Sequence, residues 1–203
     1  IQSTFLFRSS IFKKFIEKHP KSLIKVTIPE NRKDPDHNFD FPSRLPVLSY
    51  ENSVHIFDLI NFISKGIKWG ETSTIKTLDK YLAVIAHGRS SNGAIIQLDS
   101  YYNSPENFSI SILSGDERVE MKPIEVTSLF KGMEVKEPTD EIPIRLYTPK
   151  LKKRIIDLSV NEHKPGFLRQ AQDFMDFCQE KENCIGADIT DAYNALKLAQ
   201  SLI

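Results

Sequence analysis

The 203 residues, 40% of them hydrophobic, hold enough apolar material for one substantial core and too little for two large domains. Lys+Arg and Asp+Glu both number 27, so there is no basic field to draw the chain onto nucleic acid or an anionic membrane. Cys178 and Cys184 match neither a CxxC redox pair nor a four-ligand zinc set, no apolar run of about 18 residues occurs, and Ile1–Phe5 lacks the basic flank of a signal peptide, which together predict a soluble protein of the reducing cytoplasm.

Ser3–Arg8 is β-branched and aromatic and reads as a strand. Because the chain opens without Met inside that strand, a further upstream segment is expected. Ser9 or Ser10 caps a helix over Ile11–His19 that Pro20 ends, and Leu23–Ile28 alternates as a second strand, closing a β-α-β unit of the kind that pairs parallel strands. Pro29–Pro46, with Pro35 and Pro42 between its ends, carries many charges without periodicity, the pattern of a long loop at the rim of a site. From Glu51 to Lys65, Ile56, Leu59, Ile60 and Ile63 recur at helical spacing, Val54 and Phe57 widen the stripe, and Gly66 stands where a helix C-cap belongs.

Short strand-like segments follow at Ile67–Leu78, Tyr81–His87, Ala94–Leu98, Phe108–Leu113, Arg118–Met121 and Ile142–Tyr147. Turn residues at Gly88–Gly93, Asn103–Pro105 and Ser114–Asp116 separate them, which predicts an antiparallel meander. Two helices close the chain. Phe167, Ala171, Phe174 and Cys178 stripe the first, so Cys178 reads as a small core hydrophobe. Ala192, Ala195, Leu196, Ala199 and Leu202 stripe the second, capped by Asp188 or Thr190. The expected architecture is one α+β domain over residues 1–203: a mostly antiparallel open sheet with helices on one face and no Rossmann domain.

Several motifs are missing. The chain has no GxGxxG, no GxxxxGK[ST], no GxSxG elbow, no HExxH and no EF-hand loop, so no nucleotide-phosphate cradle is expected within it. What remains is Glu51, His55 and Asp58, which fall on one face of a helix and form a polar stripe in an otherwise apolar segment. An imidazole beside a carboxylate suits proton transfer near neutral pH. The same three residues also fit a helix start that favours Glu, a hydrogen-bonded histidine and a solvated Asp.

Asp34, Asp36, His37 and Asp40 have no established metal-site spacing, so no metal is expected. His19, His87 and His163 read as residues at element ends. Trp69, Tyr81, Tyr101 and Tyr102 could stack on a sugar ring, although aromatics on strands are first of all packing residues.

Glu51, His55, Asp58 and Leu59, followed by Phe62 and Gly66, resemble the DxxxH-xx-D segment and its helix in the C-terminal domains of the glucose-fructose oxidoreductase/inositol dehydrogenase (Gfo/Idh/MocA) family. The strand ending at Arg8 and the closing helices, Pro165–Phe174 and Ala187–Ile203, resemble that family in the same order, so the likeness spans nearly the whole chain. It implies the substrate-binding domain of an NAD- or NADP-dependent oxidoreductase acting on a sugar, sugar nucleotide or polyol, inactive without an upstream Rossmann domain that binds the cofactor and carries a catalytic lysine.

His55, oriented by Glu51, would then take the carbinol proton while hydride leaves for the nicotinamide ring, with Asp58, Asn52, Arg8 and Arg44 as candidate substrate contacts. The resemblance also implies a homo-oligomer built on the open sheet face. Two departures weigh against catalysis: Glu51 replaces the family's Asp, and Pro46 and Val47 stand where paired glycines are common. The alternative is a non-catalytic oligomerisation or carbohydrate-binding module that kept the fold.

Overall fold

The structure, a computed structural model, describes residues 10–29, 53–77, 80–101, 104–156, 166–181 and 184–202. The opening strand, the long loop, Glu51, Asn52, Arg8, Arg44, the acidic loop residues, Tyr102 and His163 lie outside them. So do the side-chain surroundings of Tyr81.

Helix α1 (Ser10–Lys18) buries Phe12 and Ile16 and leaves Lys13, Lys14, Glu17 and Lys18 in water. Pro20 cannot continue it. Its C-terminal end is tied to the sheet through Glu117, which accepts hydrogen bonds from Lys18 Nζ at 2.7 Å and Lys131 Nζ at 3.2 Å and lies 2.8 Å from His19 Nε2. Those hydrogen bonds, Lys18's first, hold the Glu117 carboxyl down at about 2.

Strand β1 (Leu23–Thr27) lies inside one eight-stranded sheet of order β2-β3-β4-β1-β5-β6-β7-β8. The others are β2 (Lys68–Thr77), β3 (Lys80–Arg89), β4 (Ile95–Tyr101), β5 (Ser109–Ser114), β6 (Glu117–Met121), β7 (Val126–Lys136) and β8 (Leu146–Ile156). Every described pairing is antiparallel except β1 with β4. Both edges of β1 are thus occupied, by β4 and β5. The expected β-α-β unit is corrected accordingly: the parallel partner of β1 is a strand far along the chain.

Side chains alternate across the sheet. Ile24, Ile96, Ile112 and Val119 align in register on one face, as do Val26, Leu98, Ile110 and Met121, and all of them are buried. This face shares one hydrophobic cluster with α1, with α2 (Ser53–Ile63) and with α4 (Ile189–Gln200). The other face carries Lys25, Ile85, His87, Ile95 and Tyr101, all of them exposed. The expected α+β sheet with helices on one face is therefore what the chain forms.

Three local expectations change. Helix α2 ends at Ile63, so Gly66, at φ +62°, turns the chain into β2 instead of closing the helix directly. Strand β7 was not foreseen, and β8 starts four residues later than its predicted Ile142. In neither strand is a full face buried, so the alternation that marks strands is weak, and Pro149 inside β8 reads as a breaker until its place beside a register shift is seen.

Helix α3 (Phe167–Cys178) buries none of its residues, so Cys178 is exposed and not a core residue. It is tied to the chain that follows it near its middle, where the Asp173 carboxylate accepts from the N–H groups of Ile185 at 3.0 Å and Gly186 at 2.7 Å. Helix α4 starts at the predicted Asp188 in a capping box with Asp191 and buries Ala192, Ala195 and Ala199. Those small residues let it lie close to α2.

Candidate functional site

Ser53, Ile56, Phe57, Leu59, Ile60 and Ile63 are buried and fix the orientation of α2. The remaining arc of the helix holds Val54, His55, Asp58, Asn61 and Phe62, which helical spacing places side by side. His55 lies just inside the helix start and is half-buried, outside the hydrophobic cluster. Asp58, one turn on, is only 4% exposed, which contradicts the solvated Asp of the plainer sequence reading. Burial of the imidazole disfavours its charged form and lowers the His55 pKa from 6.5. At neutral pH the ring is therefore uncharged and able to accept a proton.

Two groups join this arc that sequence reasoning did not single out for a role. Asn61, three residues beyond Asp58, buries its side-chain nitrogen without an acceptor among the described residues. Extending the polar stripe by one more turn would have found it. Phe62 lies against α1, whose Lys13 ammonium sits 5.0 Å from the ring centroid. The arc thus combines a neutral imidazole, a buried carboxylate, a carboxamide and an aromatic face. Such a set can hydrogen-bond several hydroxyl groups and take a proton from one of them.

Other candidates resolve into structural roles. His19 pairs with Glu117 and packs against Phe15, their ring centroids 4.8 Å apart. Trp69 Nε1 donates to the Leu198 carbonyl at 3.1 Å, tying β2 to the last turn of α4. His87 and Tyr101 lie on the open sheet face. No group of three or more metal-ligating side chains occurs among the described residues, and no described helix is long and apolar enough to cross a membrane.

A nicotinamide dinucleotide does not fit this chain by itself. Its pyrophosphate is ordinarily cradled by the N–H groups of a glycine-rich strand-to-helix turn. Here residues 1–9 and 30–52, which lead into α1 and α2, contain no glycine, and α3 and α4 follow single glycines, Gly166 and Gly186.

No family model matches the sequence, and no curated protein matches it. Solved structures do. Levoglucosan dehydrogenase in complex with NADH and levoglucosan superposes with a TM-score of 0.63 at 12% identity, over 97% of this chain and 60% of that one. UDP-N-acetylglucosamine 3-dehydrogenase GnnA from Acidithiobacillus ferrooxidans gives 0.55 at 12% identity, over 97% and 59%. A super-repressor mutant of Gal80p from Saccharomyces cerevisiae gives 0.61 at 12% identity, over 98% and 60%. The chain spans about 60% of the length of these neighbours. At such identities the likeness establishes fold: this chain has the fold of the C-terminal domain of the Gfo/Idh/MocA dehydrogenases.

Proposed function

We propose that this chain is the substrate-binding part of an NAD- or NADP-dependent oxidoreductase acting on a hydroxyl of a sugar, sugar nucleotide or polyol, the cofactor being held by a separate dinucleotide-binding domain. The observation that carries the reading is the polar arc of α2, where a neutral, half-buried His55 stands beside a buried Asp58 on a helix whose opposite side is locked into the core. His55 accepts the proton of the substrate hydroxyl. Asp58 and Asn61 accept from and donate to neighbouring hydroxyls and fix which carbon is presented. Glu51 orients the imidazole, and Asn52, Arg8 and Arg44 complete the rim. The domain self-associates through its open sheet face.

Gal80p among the neighbours supports a second reading, a module that keeps the fold for regulation or binding without catalysis. Titrating the isotope-labelled chain with levoglucosan, sorbose, myo-inositol and UDP-N-acetylglucosamine separates the two by NMR. The enzyme reading expects at least one of them to shift the His55 ring resonances and the amides of Asp58 and Asn61. Shifts confined to residues away from α2, or none with any compound, favour the second reading.

A further inference from the structure

The polar arc of α2 changes character along its length. Toward the helix start, His55 and Asp58 offer acceptors: a ring nitrogen of a neutral imidazole and a buried carboxylate. One turn beyond Asp58 the groups are donors. Asn61 buries its side-chain nitrogen without an acceptor among the described residues. Beside it, Phe62 holds the Lys13 ammonium of α1 at 5.0 Å from its ring centroid, which adds three N–H donors and a full positive charge. Helical geometry sets His55 and Phe62 about 10 Å apart along the axis and within about 20° of each other around it.

The fold accounts for neither donor. A buried N–H left without an acceptor is costly, and such groups in folded proteins are ordinarily satisfied by protein, water or a ligand. Lys13 is exposed and stands in the first turn of α1, where the helix dipole disfavours a cation and no acidic side chain offsets it. Among the described residues no carboxylate pairs with it, whereas Lys18 at the other end of the same helix is paired with Glu117. The ring of Phe62 keeps this unpaired charge at the rim of the arc.

Charge complementarity decides what suits such an arrangement. A neutral polyol presents the same hydroxyl groups at both ends and gains little from a fixed cation. A phosphate or carboxylate accepts from the ammonium and the amide together, through charge-assisted hydrogen bonds. The polarity of the arc also selects one orientation, because an anion placed at Asp58 would meet a like charge.

We propose that the substrate of this site carries an anionic group, phosphate or carboxylate, held by Lys13 and Asn61 about two helical turns from the hydroxyl delivered to His55. The inference rests on the reading of α2 as a substrate site and narrows it. Sugar acids, sugar phosphates and sugar nucleotides fit, while neutral sugars and polyols lack the group that the far end recognises.

Two matched sets of compounds test this by NMR titration of the isotope-labelled chain: glucose against glucuronate and glucose 6-phosphate, and N-acetylglucosamine against UDP-N-acetylglucosamine. At least one anion is expected to bind about tenfold or more tightly than its neutral counterpart, with shifts at His55 and Asn61, and the anion that does so tells carboxylate from phosphate. Lys13→Gln, a change at an exposed position that removes no core, should lower that affinity about tenfold or more and leave the neutral compound unaffected. Lys13→Arg should restore most of it, and Lys14→Gln, the exposed neighbour, should change nothing. Asn61→Asp, which sets a carboxylate in the same space, should abolish binding of the anion. Neutral compounds that bind at His55 and Asp58 as tightly as their anionic partners, or anion binding indifferent to Lys13→Gln and Asn61→Asp, overturn the inference and leave the substrate-site reading standing. No shift on α2 with any of the five compounds overturns both.

Discussion

In the oxidoreductase proposed above, replacing His55 by alanine is expected to lower kcat by about a hundredfold or more, the usual range for a lost acid–base group, with cofactor affinity unchanged. The ring proposed to accept the proton is half-buried, and that burial lowers its pKa and favours the neutral form. Alanine leaves the hydroxyl proton only to water, which is a poorer base and is not positioned. Because the opposite side of α2 anchors the helix through Phe57, Leu59 and Ile60, truncating the half-buried ring should not unseat it. KM should change little, since the hydroxyl contacts proposed for Asp58 and Asn61 remain. A variant with unaltered turnover would return His55 to the role of a hydrogen-bonded structural residue.

The largest expected loss of stability comes from the other side of the same helix. Phe57 is fully buried in the cluster shared by the sheet and helices α1, α2 and α4. Phe57→Ala should cost about 3–5 kcal/mol through lost apolar contact and an incompletely filled cavity. For a domain of this size, thermal unfolding followed by circular dichroism should show the midpoint fall by roughly 6–20 °C. The dependence of activity on pH in the folded fraction should not move, because the residue reaches the site only by positioning α2. A shift of the midpoint smaller than about 2 °C would mean that α2 is not packed into the core as described.

How much of this was legible in the sequence depended on whether a residue's surroundings are local. Helices α1, α2 and α4 announced themselves because an apolar stripe, a breaker such as Pro20 and a cap such as Asp188 all act within a turn or two of chain. Strands with one buried face were legible by alternation, as in β4, where Ile96 and Leu98 point inward between exposed or half-exposed neighbours. Strand β7 and the position of β8 were not, since a ribbon beyond the supported sheet loses the inside–outside contrast that alternation reports.

Helix α3 misled in the opposite sense. Its Phe174 and Cys178 have the spacing of a core stripe, yet spacing says only that an apolar face exists and not that anything in this chain covers it. At the site, the placement of His55 and Asp58 on one face of α2 followed from helical geometry, whereas the burial of Asp58 and the lowered His55 pKa depend on packing that no local pattern encodes.

The most direct test of His55 as the proton acceptor is the pH dependence of kcat/KM for alcohol oxidation, measured in the complete enzyme and in its His55→Ala variant. A base works only when unprotonated. Its contribution is therefore full above the pKa of the folded enzyme and is lost as pH falls through it, by about tenfold per pH unit. Burial places that pKa below the ordinary 6.5, so the wild type should hold a plateau at neutral pH and decline only below that value. The same decline should be absent from His55→Ala. An acid limb that persists unchanged in the variant, or a wild-type plateau that already breaks above 6.5, would contradict the assignment.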